Sequence, residues 1–80
     1  MNNELNQKEL YDFINLYWQV IKKHIALDPN DKSQLNEYIK DAGEVIQSLK
    51  EKTVAFFYAG DCFASFLEYR NRVKGDFFNE

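Results

Sequence analysis

Residues 54–69 read VAFFYAGDCFASFLEY, and this segment carries the strongest information about the fold. Twelve of its sixteen residues are apolar, and on a helix their side chains point nearly all the way around the axis. A helix of this kind is buried on most of its sides. Because each helix of a three-helix bundle packs on only two neighbours, the segment favours a subunit or partner interface. The alternative is a central helix within a monomeric bundle.

Helical spacing of apolar residues extends from this segment toward both ends of the chain. Upstream, steps of three and four residues predict a first helix that begins at a capping box formed by Asn6 and Glu9. The turn sequence DPND at 28–31 separates it from a second amphipathic helix. The predicted helices cover residues 7–27, 32–51 and 53–73, and residues 75–80 form a tail.

The boundary between the second and third helices is ambiguous in the sequence. From Leu35 to Leu67, a seam of mostly apolar residues that passes through Thr53 and Gly60 keeps alternating steps of four and three. This pattern permits one long helix over about 32–74. The charged run 50–52 before Thr53 indicates a helix end and a new start, and 60–61 (Gly-Asp) offers a second break. We predict the break near 50–53.

These patterns together define an all-α protein. The sequence predicts a small helical bundle, with three helices or as a helical hairpin with one long C-terminal helix, and a single domain over residues 1–80. The chain has 36 apolar residues, more than a bundle of 80 residues readily buries, which predicts a dimer or a complex with another protein.

Composition excludes several classes of protein. The chain is 45% hydrophobic with one cysteine and a net charge of −3, which excludes a disordered chain and an intramolecular disulfide scaffold. Nucleic acid is not an expected partner because the chain has no basic excess, and nothing predicts membrane contact. The absence of a signal-peptide pattern and the single cysteine predict a cytoplasmic location. Residues with AT-rich codons outnumber those with GC-rich codons by 34 to 11, as in an AT-rich bacterium, a phage or a mobile element.

Residue types that carry out catalysis or bind metals are sparse. The only histidine, His24, lies on the apolar face of the first helix and is predicted to be a buried imidazole hydrogen-bonded to a neighbour. Cys62 lies among Phe and Ala residues and is predicted to pack as a small apolar side chain. We therefore predict no enzyme activity, cofactor, metal site or small-molecule substrate; the alternative is a ligand pocket near these two residues. The carboxylates predicted to form a solvated face, or an acidic docking surface, are Glu37, Asp41, Glu44 and Glu51.

The predicted function is protein–protein interaction or regulation through an aromatic-rich helical surface. An alternative is a nucleic-acid-associated regulator that uses the basic cluster Arg70, Arg72 and Lys74 with its flanking aromatic residues. Helix capping and an i,i+4 pair between Glu68 and Arg72 also account for that cluster. The candidate interface residues are Trp18, Phe56, Phe57, Tyr58, Phe63, Phe66 and Tyr69.

Overall fold

Three α-helices make up the computed structural model, which describes residues 4–75. They are α1 Gln7–Lys23, α2 Lys32–Gln47 and α3 Thr53–Gly75. The helices run up, down and up. Contacts between α1 and α3 advance together along both, from Glu9–Lys52 through Tyr17–Cys62 to Leu27–Arg70, so these two helices are parallel. The described residues contain no strand. The predicted all-α bundle of three helices is therefore confirmed. Residues 76–80 of the predicted tail lie outside the described part of the chain.

The start of α1 matches the prediction and its end does not. Asn6 Oδ1 accepts a hydrogen bond from the Glu9 backbone N–H at 2.8 Å, and the Glu9 carboxylate accepts one from the Asn6 N–H at 2.9 Å. This is the predicted capping box. The helix ends at Lys23 rather than at 27 because the chain tightens into a turn, in which the Leu27 N–H donates to the His24 carbonyl at 3.0 Å. That turn buries Leu27 in the core.

The break between α2 and α3 rules out one continuous helix over 32–74. The second helix ends at Gln47, four residues before the predicted end, and α3 begins at Thr53 as predicted. The Ser48 hydroxyl donates to the Val45 carbonyl at 2.6 Å and closes the last turn of α2. A continuous helix would carry the apolar face of residues 53–75 away from α1 and into water. The second possible break is not used, because α3 passes through Gly60 without interruption.

A salt bridge holds the connection between α2 and α3 against the start of α1. Lys52 Nζ lies 3.1 Å from Glu9 Oε1 and also donates to the Glu4 carbonyl at 3.3 Å. The capping hydrogen bond from Asn6 and the Lys52 ammonium together lower the pKa of Glu9. The Glu9 carboxylate therefore takes part in the capping box at the start of α1 and also in the salt bridge that holds the start of α3 beside it.

A single hydrophobic core lies between the three helices, and aromatic rings fill its centre. The Phe63 ring meets Phe13 edge-on at a centroid distance of 6.4 Å and Tyr38 at 6.2 Å. The Tyr38 hydroxyl donates to the Phe63 carbonyl at 2.6 Å, and the Tyr17 hydroxyl donates to the Cys62 carbonyl at 3.2 Å. Two hydroxyls from different helices thus hold adjacent carbonyls at the middle of α3. The buried cluster is Phe13, Ile21, Leu27, Tyr38, Ala42, Val45, Ala59, Phe63 and Phe66.

Within one chain, α3 buries only one face. Its buried residues recur in steps of four, four and three, from Ala55 through Ala59 and Phe63 to Phe66. The expectation that segment 54–69 is covered on most sides is therefore not met inside the chain, because α1 and α2 both lie on the same side of α3. The apolar residues of the other two helices are not all buried either, because Ile14 on α1 and Ile39 on α2 are both exposed.

Candidate interaction surface

Exposed aromatic and aliphatic side chains line the outer side of the junction between α1 and α3. On α1, Tyr11, Ile14 and Trp18 follow steps of three and four residues and therefore form one stripe. On α3, Tyr58 and Tyr69 are eleven residues, or about three turns, apart and share a side of the helix. All five side chains are exposed, and half of the Trp18 surface (51%) is accessible. We call these five residues the α1–α3 face.

Core contacts fix how the two stripes lie relative to each other. The Tyr58 ring packs against Phe13 at a centroid distance of 5.7 Å, and the Tyr17 hydroxyl reaches the Cys62 carbonyl one turn further along both helices. The adjoining residues Ile14 and Trp18 follow Phe13 and Tyr17 by one position, on the side of α1 away from α2. The two stripes are therefore neighbours on one surface.

Charged side chains are few on the α1–α3 face, and the exposed Asp61 lies on its α3 stripe between Tyr58 and Ser65. Asn15 on α1, and Cys62 and Ser65 on α3, complete its surface with small or uncharged polar groups. The Cys62 thiol beside Tyr58 raises the pKa of that hydroxyl, so it stays neutral over the physiological range. Lys22 continues the α1 stripe, and the exposed pair Arg72–Glu68, 2.9 Å apart, lies at the end of the α3 stripe. Aromatic residues without charge, surrounded by polar residues, are the composition of the core and rim of protein interfaces.

The predicted interface residues fall into three groups in the structure. Trp18, Tyr58 and Tyr69 come together on the α1–α3 face. Phe57 is exposed (62%) and lies on a different side of α3, where it packs on the half-buried Phe56 at a centroid distance of 5.7 Å. The remaining two are core residues: Phe63 is 3% exposed and Phe66 is 8% exposed, so neither contributes to a surface.

Two members of the α1–α3 face, Tyr11 and Ile14, were not among the predicted interface residues. The sequence carries a signal for Tyr11, because Tyr11, Ile14 and Trp18 share the spacing of one helical stripe. Ile14 directly follows the core residue Phe13 in the sequence. Periodicity alone cannot separate the two, because residues one step apart differ by only about 100° around the helix.

The predicted basic cluster is divided in space. Arg70 and Lys74 are four residues apart and share one side of α3, whereas Arg72 lies on the opposite side. The Arg70 guanidinium turns inward, where its Nε donates to the Leu27 carbonyl at 2.9 Å. The Arg72 guanidinium forms the expected i,i+4 salt bridge with Glu68. Two of these three cations are therefore engaged within the fold, and the cluster does not form a basic patch.

The His24 side chain is buried and hydrogen-bonded, as predicted. Its Nε2 lies 2.9 Å from Asp41 Oδ2, and its ring meets Tyr38 edge-on. Lys23 Nζ lies 2.9 Å from the same carboxylate and 3.1 Å from Glu37. The hydrogen bond from His24, and then that from Lys23, lower the pKa of Asp41. Asp41 is therefore a link between α1 and α2, which corrects its assignment to a solvated face.

An open cleft of about 370 Å3 lies beside this ionic group. Lys23, His24 and Glu37 line it together with Ala26, Leu27 and Gln34, and Cys62 does not. The three ionic or polar groups on its wall already bind each other or Asp41, and the Gln34 amide binds Asp31 and the Asp28 N–H. The ligand-pocket alternative requires one site near both His24 and Cys62. This cleft does not provide such a site, because Cys62 does not line it.

The fold places the chain among small all-α three-helix bundles. Comparison with protein-family models, with curated proteins and with solved structures finds no match to this chain. Among residues 4–75, none of the three helices combines the length and the hydropathy that spanning a membrane demands. The same residues bring no three His, Cys, Asp or Glu side chains together as a metal site.

Proposed function

We propose that this chain is a non-enzymatic protein–protein interaction or regulatory module, which acts in the cytoplasm by docking the α1–α3 face against a protein surface. The partner is either another protein or a second copy of the chain. The observation that carries the proposal is the grouping of the exposed aromatic residues Trp18, Tyr58 and Tyr69 on one surface. Trp and Tyr dominate the energetics of protein interfaces, because each buries a large area and retains a polar group.

The rest of the molecule supports docking better than catalysis. The ionic side chains of the His24–Asp41 group are paired with each other, and the adjacent cleft is open to solvent. A catalytic carboxylate or imidazole must be able to exchange a proton with a bound reactant. A hydrogen-bonded link between two helices accounts for this group as it stands.

Affinity capture from an extract of the native host tests the proposal. The wild-type chain and the Trp18→Ser variant are immobilised in parallel, and the captured proteins, including untagged copies of this chain, are identified by mass spectrometry. We expect Trp18→Ser to lose a partner that the wild type retains. The matched control is Phe57→Ser, which removes an equally exposed aromatic ring from a different side of α3 and should retain that partner. Identical capture by wild type and Trp18→Ser contradicts the proposal.

The nucleic-acid alternative has less support, because Arg70 and Arg72 face opposite ways and are both engaged within the fold. The nucleic-acid alternative leads to a separate prediction. If α3 binds nucleic acid, the wild type should bind single-stranded DNA or RNA at low salt, and Lys74→Glu should weaken that binding. Absence of binding at low salt dismisses this alternative.

A further inference from the structure

We draw no further inference here: the strongest candidate, the α1–α3 face with its exposed aromatic side chains, already carries the proposed function, and nothing in the structure shows what covers it.

Discussion

A single hydroxyl at Tyr38 joins α2 to the middle of α3. Its hydrogen bond to the Phe63 carbonyl is short, 2.6 Å, and burial raises the pKa of this phenol well above its ordinary range. Tyr38→Phe removes only this hydrogen bond and keeps the ring contacts with Phe63 and Phe66. We expect a loss of about 1 kcal/mol in the free energy of unfolding, measured by urea denaturation.

The control for this prediction is Tyr11→Phe, which removes a hydroxyl from an exposed ring. Its effect on the free energy of unfolding should stay within about 0.5 kcal/mol. Equal losses in the two variants would mean that the Tyr38 hydroxyl adds nothing specific to the core.

Asp41 makes the stability of the bundle depend on pH. Its pKa is lowered in the folded chain by hydrogen bonds from His24 and Lys23, so the unfolded chain binds the proton more readily. The stabilisation is therefore complete above the ordinary Asp pKa of about 3.9 and is lost as pH falls through the lowered pKa of the folded state. Urea denaturation from neutral pH into this acidic range should show the decline.

The matched variants for Asp41 are Asp41→Asn and Asp12→Asn. Asp41→Asn should flatten the acid decline and lower stability at neutral pH. Asp12→Asn, which removes a carboxylate from the exposed pair with Lys8, should leave the decline intact. A decline that persists unchanged in Asp41→Asn would assign the acid sensitivity to other carboxylates.

At the scale of the element, α3 contains a glycine that its own packing does not require. A Cβ placed on Gly60 meets no atom within 4 Å, yet glycine inside a helix is less stable than alanine by about 1 kcal/mol. Gly60→Ala should therefore raise the free energy of unfolding by up to about 1 kcal/mol, with Gly43→Ala in α2 giving a similar gain. Thermal denaturation of the two variants provides the measurement. A loss of stability in Gly60→Ala would show that the backbone at this position is approached closely in solution.

The helices themselves could be predicted from the sequence more completely than their ends. The capping box at Asn6 and the start of α3 at Thr53 are encoded by local residues and were predicted correctly. The ends of α1 and α2 are not, because they depend on turns that direct Leu27 into the core and tie Lys52 to Glu9. The seven-residue spacing from 35 to 67 does not indicate the turn between α2 and α3, because the same spacing is compatible with one long helix and with two packed helices.

For the molecule as a whole, the sequence predicts that the chain has more apolar residues than its core can bury. It does not predict where on the surface the remaining apolar residues lie. The structure exposes Trp18 and Tyr69 and buries Phe63 and Phe66. The reason is that α1 and α2 both pack on the same side of α3. That choice depends on contacts between residues far apart in the chain, such as Tyr38 with Phe63, which no local pattern encodes. Of the predicted interface residues, the structure therefore buries Phe63 and Phe66 and exposes four others, Trp18, Phe57, Tyr58 and Tyr69. That the exposed residues form an interface stays a prediction.

A second copy of the chain docked on the α1–α3 face would make the stability of the whole molecule depend on its concentration. A dimer that dissociates on unfolding gains about 0.7 kcal/mol per chain for each tenfold rise in concentration, by mass action. For a domain of this size that gain corresponds to about 3–6 °C in Tm. Calorimetry over two decades of concentration should show this rise for wild type and Phe57→Ser. Trp18→Ser should unfold at a Tm that does not change with concentration, because its face no longer pairs at these concentrations. A wild-type Tm that is also constant would mean that the folded chain is monomeric when it unfolds, and that Trp18 contributes to some other contact.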